Sequence, residues 1–226
     1  MMISPEGYYN EYLRGKTAEQ IMTAIKGLKQ EIDRLKNRME HPDYPLKPDT
    51  RPSAATQLYY SRLYLEKAKA ALEEAGGSYE PSGTEQQADA FDASISSISK
   101  MVFSIGTCFA GFEIRTYRLD EMHLYMEIEH SHYRKPSNLE IPPDYPVDKA
   151  TFLDGLMNLH IGEWRSHYDI ERFGYCVCDG KEWSLEIWFS DGHKPVKFDG
   201  INAYPYNFND LLRLLDIDRE DETEED

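Results

Sequence analysis

"MHLYMEIEH", Met122 to His130, is the stretch that decides the fold. Met122, Leu124, Met126 and Ile128 fall on one face of an extended chain, and His123, Tyr125, Glu127 and Glu129 on the other. Such alternation predicts a strand of an antiparallel sheet with one face on a core and one toward water. Upstream, "KMVFSIG" (Lys100 to Gly106) and "FEIRTYRL" (Phe112 to Leu119) predict two more strands. Downstream, "FGYCVC" (Phe173 to Cys178), "EWSLEIWFS" (Glu182 to Ser190) and "KPVKFDG" (Lys194 to Gly200) predict three further ones. Asp179-Gly180 and Asp191-Gly192 separate them, and Asp-Gly favours the positive φ of tight hairpin turns. Within the second of these, Trp183, Leu185, Ile187 and Phe189 face the core and Trp188 the opposite side.

Before the strands the period is helical. Thr17 and Gln20 form a capping box, after which Ile21, Ile25, Leu28, Ile32, Leu35 and Met39 recur at heptad spacing until "HPDYP" stops the helix. Ser53 caps a second helix with a stripe of Ala55, Leu58, Leu65, Ala68, Leu72 and Ala75, ending at Gly76-Gly77. Together they predict an antiparallel helical hairpin over residues 1–76, which must cover its seam in cis, on the rest of the chain or on a second copy. The small, polar, aperiodic segment 77–99 reads as a linker or mobile loop. Residues 100–217 form the α+β part: an antiparallel sheet of about six strands with one long helix, Asp148 to Tyr168, after a proline-rich loop, and one short one, "NDLLRLL". An acidic tail, 218–226, closes the chain.

The formal charge of the 226 residues is −16, of which the stretch from Asp216 onward contributes eight acids against Arg219. That field repels phosphate backbones, so nucleic acid is not an expected partner. No run reaches the ~20 apolar residues that span a bilayer and no signal peptide opens the chain, so a cytoplasmic protein without a membrane partner is expected. Three cysteines, Cys108, Cys176 and Cys178, are too few and too odd in number for a disulfide framework. Phosphate-binding, dinucleotide and zinc-protease motifs are missing from the sequence, and no cofactor is expected.

"LHIGEWRSHYD", Leu159 to Asp169, is the densest cluster of chemistry-bearing residues. On a helix, His160 and His167 fall at the edge of the stripe centred on Leu153, Met157 and Trp164, with Glu163 beside them. Glu163 and His167, at i and i+4, can share a metal, with the remaining ligands from the sheet, where His123, His130 and His132 are candidates, and with His160, seven residues from His167, less easily placed on the same ion; otherwise the histidines are hydrogen-bonded packing residues. Glu127 and Glu129 stand about 7 Å apart on one strand face, which suits paired acid/base work but is also what a solvated face gives. In "DGINAYPYNFNDLL", Asn202, Tyr204 and Tyr206 read either as binding residues or as a seal over the core edge, and Trp188 joins them as a binding candidate.

The segments "MISPEGYYNEYLRGKTAEQIMTAIKGLKQEIDRLKNRMEHPDY", "LHIGEWRSHYDIERFGYCVCDGKEWSLEIWFSDG" and "GINAYPYNF" resemble an uncharacterised family of proteins from gut Firmicutes. That resemblance implies no activity and assigns no site residue. With no complete catalytic constellation, the sequence points to a non-enzymatic protein-interaction or ligand-binding role, with a protein partner or self-association through the N-terminal helices. The competing reading is a metal-dependent hydrolase with ligands from the helix Asp148 to Tyr168.

Overall fold

Thr17 opens the first long helix as its side chain predicts. Its hydroxyl accepts from the Gln20 amide (3.3 Å) while the Gln20 side chain accepts from the Thr17 amide (3.1 Å), so two orphan donors are satisfied reciprocally. The computed structural model describes residues 2–44, 51–130, 148–177 and 180–217. The proline-rich loop with His132, the Cys178-Asp179 pair and the acidic tail lie outside the described residues. The chain divides into two units, Met1–Ser82 and Gly83–Asp226.

In the first unit, α2 (Ala18–Met39) buries Ile21, Ile25, Ile32 and Leu35 and packs on α3 (Ala54–Glu74). The heptad seam is therefore covered within the unit. Ser53 caps α3 by accepting from the Thr56 amide (3.2 Å), and Gly76 ends it at φ 77°. The α3 stripe departs from the expected one: Ala54 rather than Ala55 is buried, Ala75 is exposed, and Ser61 and Tyr64 are enclosed. The cause is an N-terminal segment that the sequence reading passed over. Ser4 caps α1 (Pro5–Tyr8), which continues as a wider turn over Tyr9–Leu13. Tyr8 stacks on Tyr64 at 4.3 Å, and the Tyr64 hydroxyl donates to the Ile3 carbonyl (2.7 Å), drawing that side of α3 inward.

The second unit is built on β1 (Ile98–Thr107), β2 (Gly111–Leu119), β3 (Leu124–His130), β4 (His167–Asp169), β5 (Glu182–Phe189) and β6 (Val196–Ile201). Their order across the sheet is β3-β2-β1-β5-β6-β4. The three strands nearest the opening stretch pair antiparallel in succession as expected, with Lys100 opposite Arg118 and Thr116 opposite Glu127. Met101, Phe103, Tyr117, Leu185 and Ile187 point to one face, where α5 (Lys149–Asn158) and α6 (Phe208–Leu214) bury Phe152, Leu156, Leu211 and Leu212 against them. At about 25 cal/mol per Å² of apolar surface, this face supplies the main driving force for the fold.

Four expectations are corrected. The sheet is mixed, because β4 runs parallel to β6. "FGYCVC" forms no strand over its described residues: Phe173 ends a 3₁₀ turn, Gly174 turns the chain at φ 82°, and Tyr175 to Val177 are irregular. The edge position is taken by His167-Tyr168-Asp169 because Tyr168, 1% exposed, packs on Trp183 (5.9 Å) and its hydroxyl accepts from the Arg165 amide (3.0 Å). Segment 77–99 is not a linker throughout: α4 (Gly83–Ser94) occupies it, with Phe91 edge-on to Phe189 and Phe198. The long helix stops at Asn158. His160 adopts a left-handed φ of 49°, a 3₁₀ turn spans Ile161–Glu163, and the backbone of α4 passes so close that a Cβ on Gly162 would lie 2.8 Å from the Ala88 Cα. Burying Leu159 and Ile161 on the core and seating α4 against Gly162 outweigh another turn of helix.

Met122 also differs, being 77% exposed in the turn before β3, where the Asp120 carboxylate accepts from the amides of Met122 (2.8 Å) and His123 (2.7 Å). The Asp191-Gly192 turn does join two antiparallel strands, with Gly192 at φ 88°. The Ser97 hydroxyl, the His193 amide (3.1 Å) and the His193 ring (2.8 Å) hold the Asp191 carboxyl down to about 2. A depressed carboxyl contributes stability that is complete above its unfolded value of about 3.9 and lost as pH falls through the folded one. The contribution of the ionised Asp191 carboxyl to the turn is thus expected to be complete above about pH 4 and to be lost between about 4 and 2. An NMR titration following the Asp191 carboxyl carbon checks this; a midpoint at the ordinary aspartate value would contradict it.

Candidate binding face

Strand register determines what the other face of the sheet presents. Side chains that alternate with the core residues form rows across it: Ser104, Ser184, Asp199 and His167 in one, Lys100 and Trp188 in another. The β2 residues Phe112 and Ile114 also point this way, while Glu113 and Arg115 share the core side with Tyr117. An apolar pair on the open face and a charged pair toward the helices invert the ordinary pattern. Arg115 is accommodated because it donates to Glu113 (2.5 Å) and to the carbonyls of Leu215 (2.6 Å) and Asp216 (3.0 Å) at the end of α6.

The open face is indented. Because the central positions on β1 and β5 are small, Ser104, Gly106 and Ser184 lie between the larger Phe112 on one side and His167 and Ile201 on the other. The resulting depression has a volume of about 320 Å³. Glu182, Asp199, His167 and Lys197 bring charge and hydrogen-bonding groups to it, and Phe112 and Ile201 supply apolar wall. His167 Nδ1 donates to Asp199, tying β4 to β6, and its other ring nitrogen stands 4.0 Å from Asp169. Lys197 is paired with Glu186 at 3.4 Å. Lys100 lies 4.8 Å from the centre of the Trp188 ring, a cation–π contact that leaves Trp188 on the open face as expected.

The other candidates disperse. His160 occupies the left-handed turn, Glu163 the 3₁₀ turn and His167 the edge strand, so the helical i, i+4 arrangement of Glu163 and His167 does not form. The sheet histidines do not complete it either. His123 and His130 belong to the β3 edge, five strand spacings or about 24 Å from β4. Among the described residues no three His, Cys, Asp or Glu side chains are grouped to hold a metal ion. Glu127 pairs with Arg118 (2.7 Å) on the outer face. Cys176 and Cys108 are exposed, and Cys176 lies in the irregular stretch found where a strand was expected.

Asn202, Tyr204 and Tyr206 close the core edge. Asn202, at φ 52°, accepts from the Lys181 amide (2.8 Å) and donates its own amide to the Lys181 carbonyl (3.0 Å). A Cβ on Gly180 would fall 1.8 Å from the Asn202 amide nitrogen, so this clasp requires glycine there. Tyr204 packs on Phe208 (4.7 Å), and Tyr206 lies partly buried against the core. The residues of the depression that sequence reasoning missed, Ser104, Ser184, Glu182 and Asp199, carried only a weak signal: small or polar types at the outward positions of predicted strands.

Fold and site together define an α+β unit with a mixed six-stranded sheet layered by helices on one side and indented on the other. No family model, curated protein or solved structure matches the chain. Among the described residues no helix is long and apolar enough to cross a membrane.

Proposed function

We propose that this protein is a non-enzymatic binding protein and that the open face around Ser104, Ser184, Asp199 and His167 is where it binds. The observation that carries the reading is the depression itself: hydroxyl, carboxylate and imidazole groups converge beside an apolar wall on a rigid sheet. Concave sites that combine apolar surface with a few placed polar groups are the usual form of a ligand site. Strands hold these groups more firmly than loops would. Exposed apolar residues gather at the same end of the sheet, where Ile201 closes β6 and Phe109 tips the β1–β2 turn at 75% exposure.

The test is an amide-shift screen of a fragment library against the isotopically labelled chain, repeated with Ser184→Trp, which fills the depression from an outward position without touching the core. Saturable shifts confined to the lining residues, and abolished in the variant, are expected. Fragments that bind both forms alike, or none that bind at all, would rule out the depression as the site.

A further inference from the structure

We infer that the depression takes a primary alkylammonium group, with the ammonium against Glu182 and its methylene stem running over Gly106 toward Phe112. The inference rests on reading the depression as the binding site and adds the class of its ligand. Charge decides the sign. Lys197 is already engaged by Glu186 and His167 by Asp199, which leaves Glu182 as the carboxylate at the lip; it has no ion-pair partner among the described residues. The wider field agrees: the first unit holds 12 basic and 12 acidic residues, whereas the second holds 13 and 29, so the whole negative excess belongs to the unit that carries the depression. A cation is drawn to this face and an anion repelled from it.

Shape and hydrogen bonding narrow the class. Glu182 stands opposite Gly106 on β1, and Gly106 stands opposite Phe112 on β2, so the missing side chain leaves a lane from the carboxylate to the aromatic ring. That glycine is required by the backbone, since a Cβ there would lie 2.1 Å from the Gly111 carbonyl oxygen, and the lane is therefore a fixed feature of the hairpin. Along its floor the Ser104 and Ser184 hydroxyls offer acceptors. An ammonium has three donors and no acceptor, which matches one carboxylate and two hydroxyls, and an aliphatic stem suits the apolar wall. The Glu182 carboxylate alone would serve a guanidinium equally well, but the two separate hydroxyls suit the three diverging donors of an ammonium better than a planar fork.

The chemistry is shared by a free diamine and by a lysine side chain of a partner. Isothermal titration and amide-shift mapping should therefore be run on the full chain with 1,5-diaminopentane, a capped pentapeptide with a central lysine, the same peptide with norleucine, and glutarate. The two amines are expected to bind and to shift the amides of Ser104, Glu182 and Ser184, whereas the norleucine peptide and glutarate do not. Glu182→Gln is expected to weaken the amines about ten-fold or more, and added salt to weaken them progressively. A peptide that outcompetes the diamine assigns the source to a protein partner; comparable affinities assign it to a free amine. Equal binding of lysine and norleucine peptides, or no amine binding at millimolar concentration, overturns the inference. Binding of another ligand class at the same amides would overturn it while leaving the binding face in place.

Discussion

Alanine at Trp183 is expected to destabilise the sheet unit by about 4 kcal/mol, the range of large aromatic truncations in a packed core. Trp183 is 2% exposed and its ring meets Phe208 at 4.8 Å, Tyr168 at 5.9 Å and Trp164 at 6.2 Å, so it joins α6, the β4 edge and the turn after α5. Its indole N–H also donates to the Ala203 carbonyl (2.9 Å), which the truncation leaves without that donor. All three tryptophans belong to the second unit, so fluorescence-detected denaturation follows that unit alone. Trp183→Phe, which keeps most of the ring contacts and loses the donor, should cost about half as much. A loss of under about 1 kcal/mol for the alanine variant would mean that the core tolerates a cavity at the junction of three elements, contrary to its dense aromatic packing.

The strands β1 and β3 are legible because one face of each offsets its burial cost with alternating apolar residues, and the Thr17 capping box, the Ser53 cap and the Gly76 stop frame the two N-terminal helices equally well. What failed was the stretch from Leu159 to Asp169. Its stripe satisfied helical spacing, yet Leu159, Ile161 and Trp164 are all buried without a helix through them. Contacts from segments distant in sequence decide this: the Asn207 side chain accepts from the Trp164 indole (3.0 Å) and donates to the Leu159 carbonyl (2.6 Å). Such partners fix a backbone that local propensity would send elsewhere. The same override explains α4, whose polar composition reads as a loop until Phe91 finds Phe189 and Phe198.

The candidate site was harder to read than the fold. His167 reads in the sequence as a metal ligand beside Glu163, whereas its neighbour in the fold is Asp199, which reaches it only through the parallel β4–β6 pairing. Parallel pairing of a three-residue strand leaves almost no local signature, and no spacing rule connects residues 32 positions apart. Trp188 was placed on the outward face by alternation alone, and register then gave it Lys100 as a neighbour.

Arg115→Met is expected to cost about 2 kcal/mol, less than breaking a fully buried ion pair from one side, because the pair is only partly buried. On alternation alone, β2 offers two candidate inner faces, one with Phe112 and Ile114 and one with Glu113, Arg115 and Tyr117. The second is inward because Tyr117, fully buried, stacks on Phe152 at 5.5 Å and because Arg115 has work to do beneath α6. Its guanidinium supplies the donors that the last carbonyls of α6 lack, which is the ordinary reward for a cation at a helix C-terminus. Methionine retains the stem and removes the charge, leaving the Leu215 carbonyl only the Tyr117 hydroxyl (3.2 Å) and taking the ion-pair partner from Glu113, whose side chain is 30% exposed. Glu113→Gln should therefore cost much less than Arg115→Met, and the double variant should recover part of the loss by removing the uncompensated carboxylate. Midpoints of fluorescence-detected denaturation for the four proteins complete a double-mutant cycle. If Arg115→Met falls within about 0.5 kcal/mol of the parent, the residue behaves as a surface charge. The inward placement of that β2 face, and with it the outward placement of Phe112 beside the depression, would then have to be abandoned.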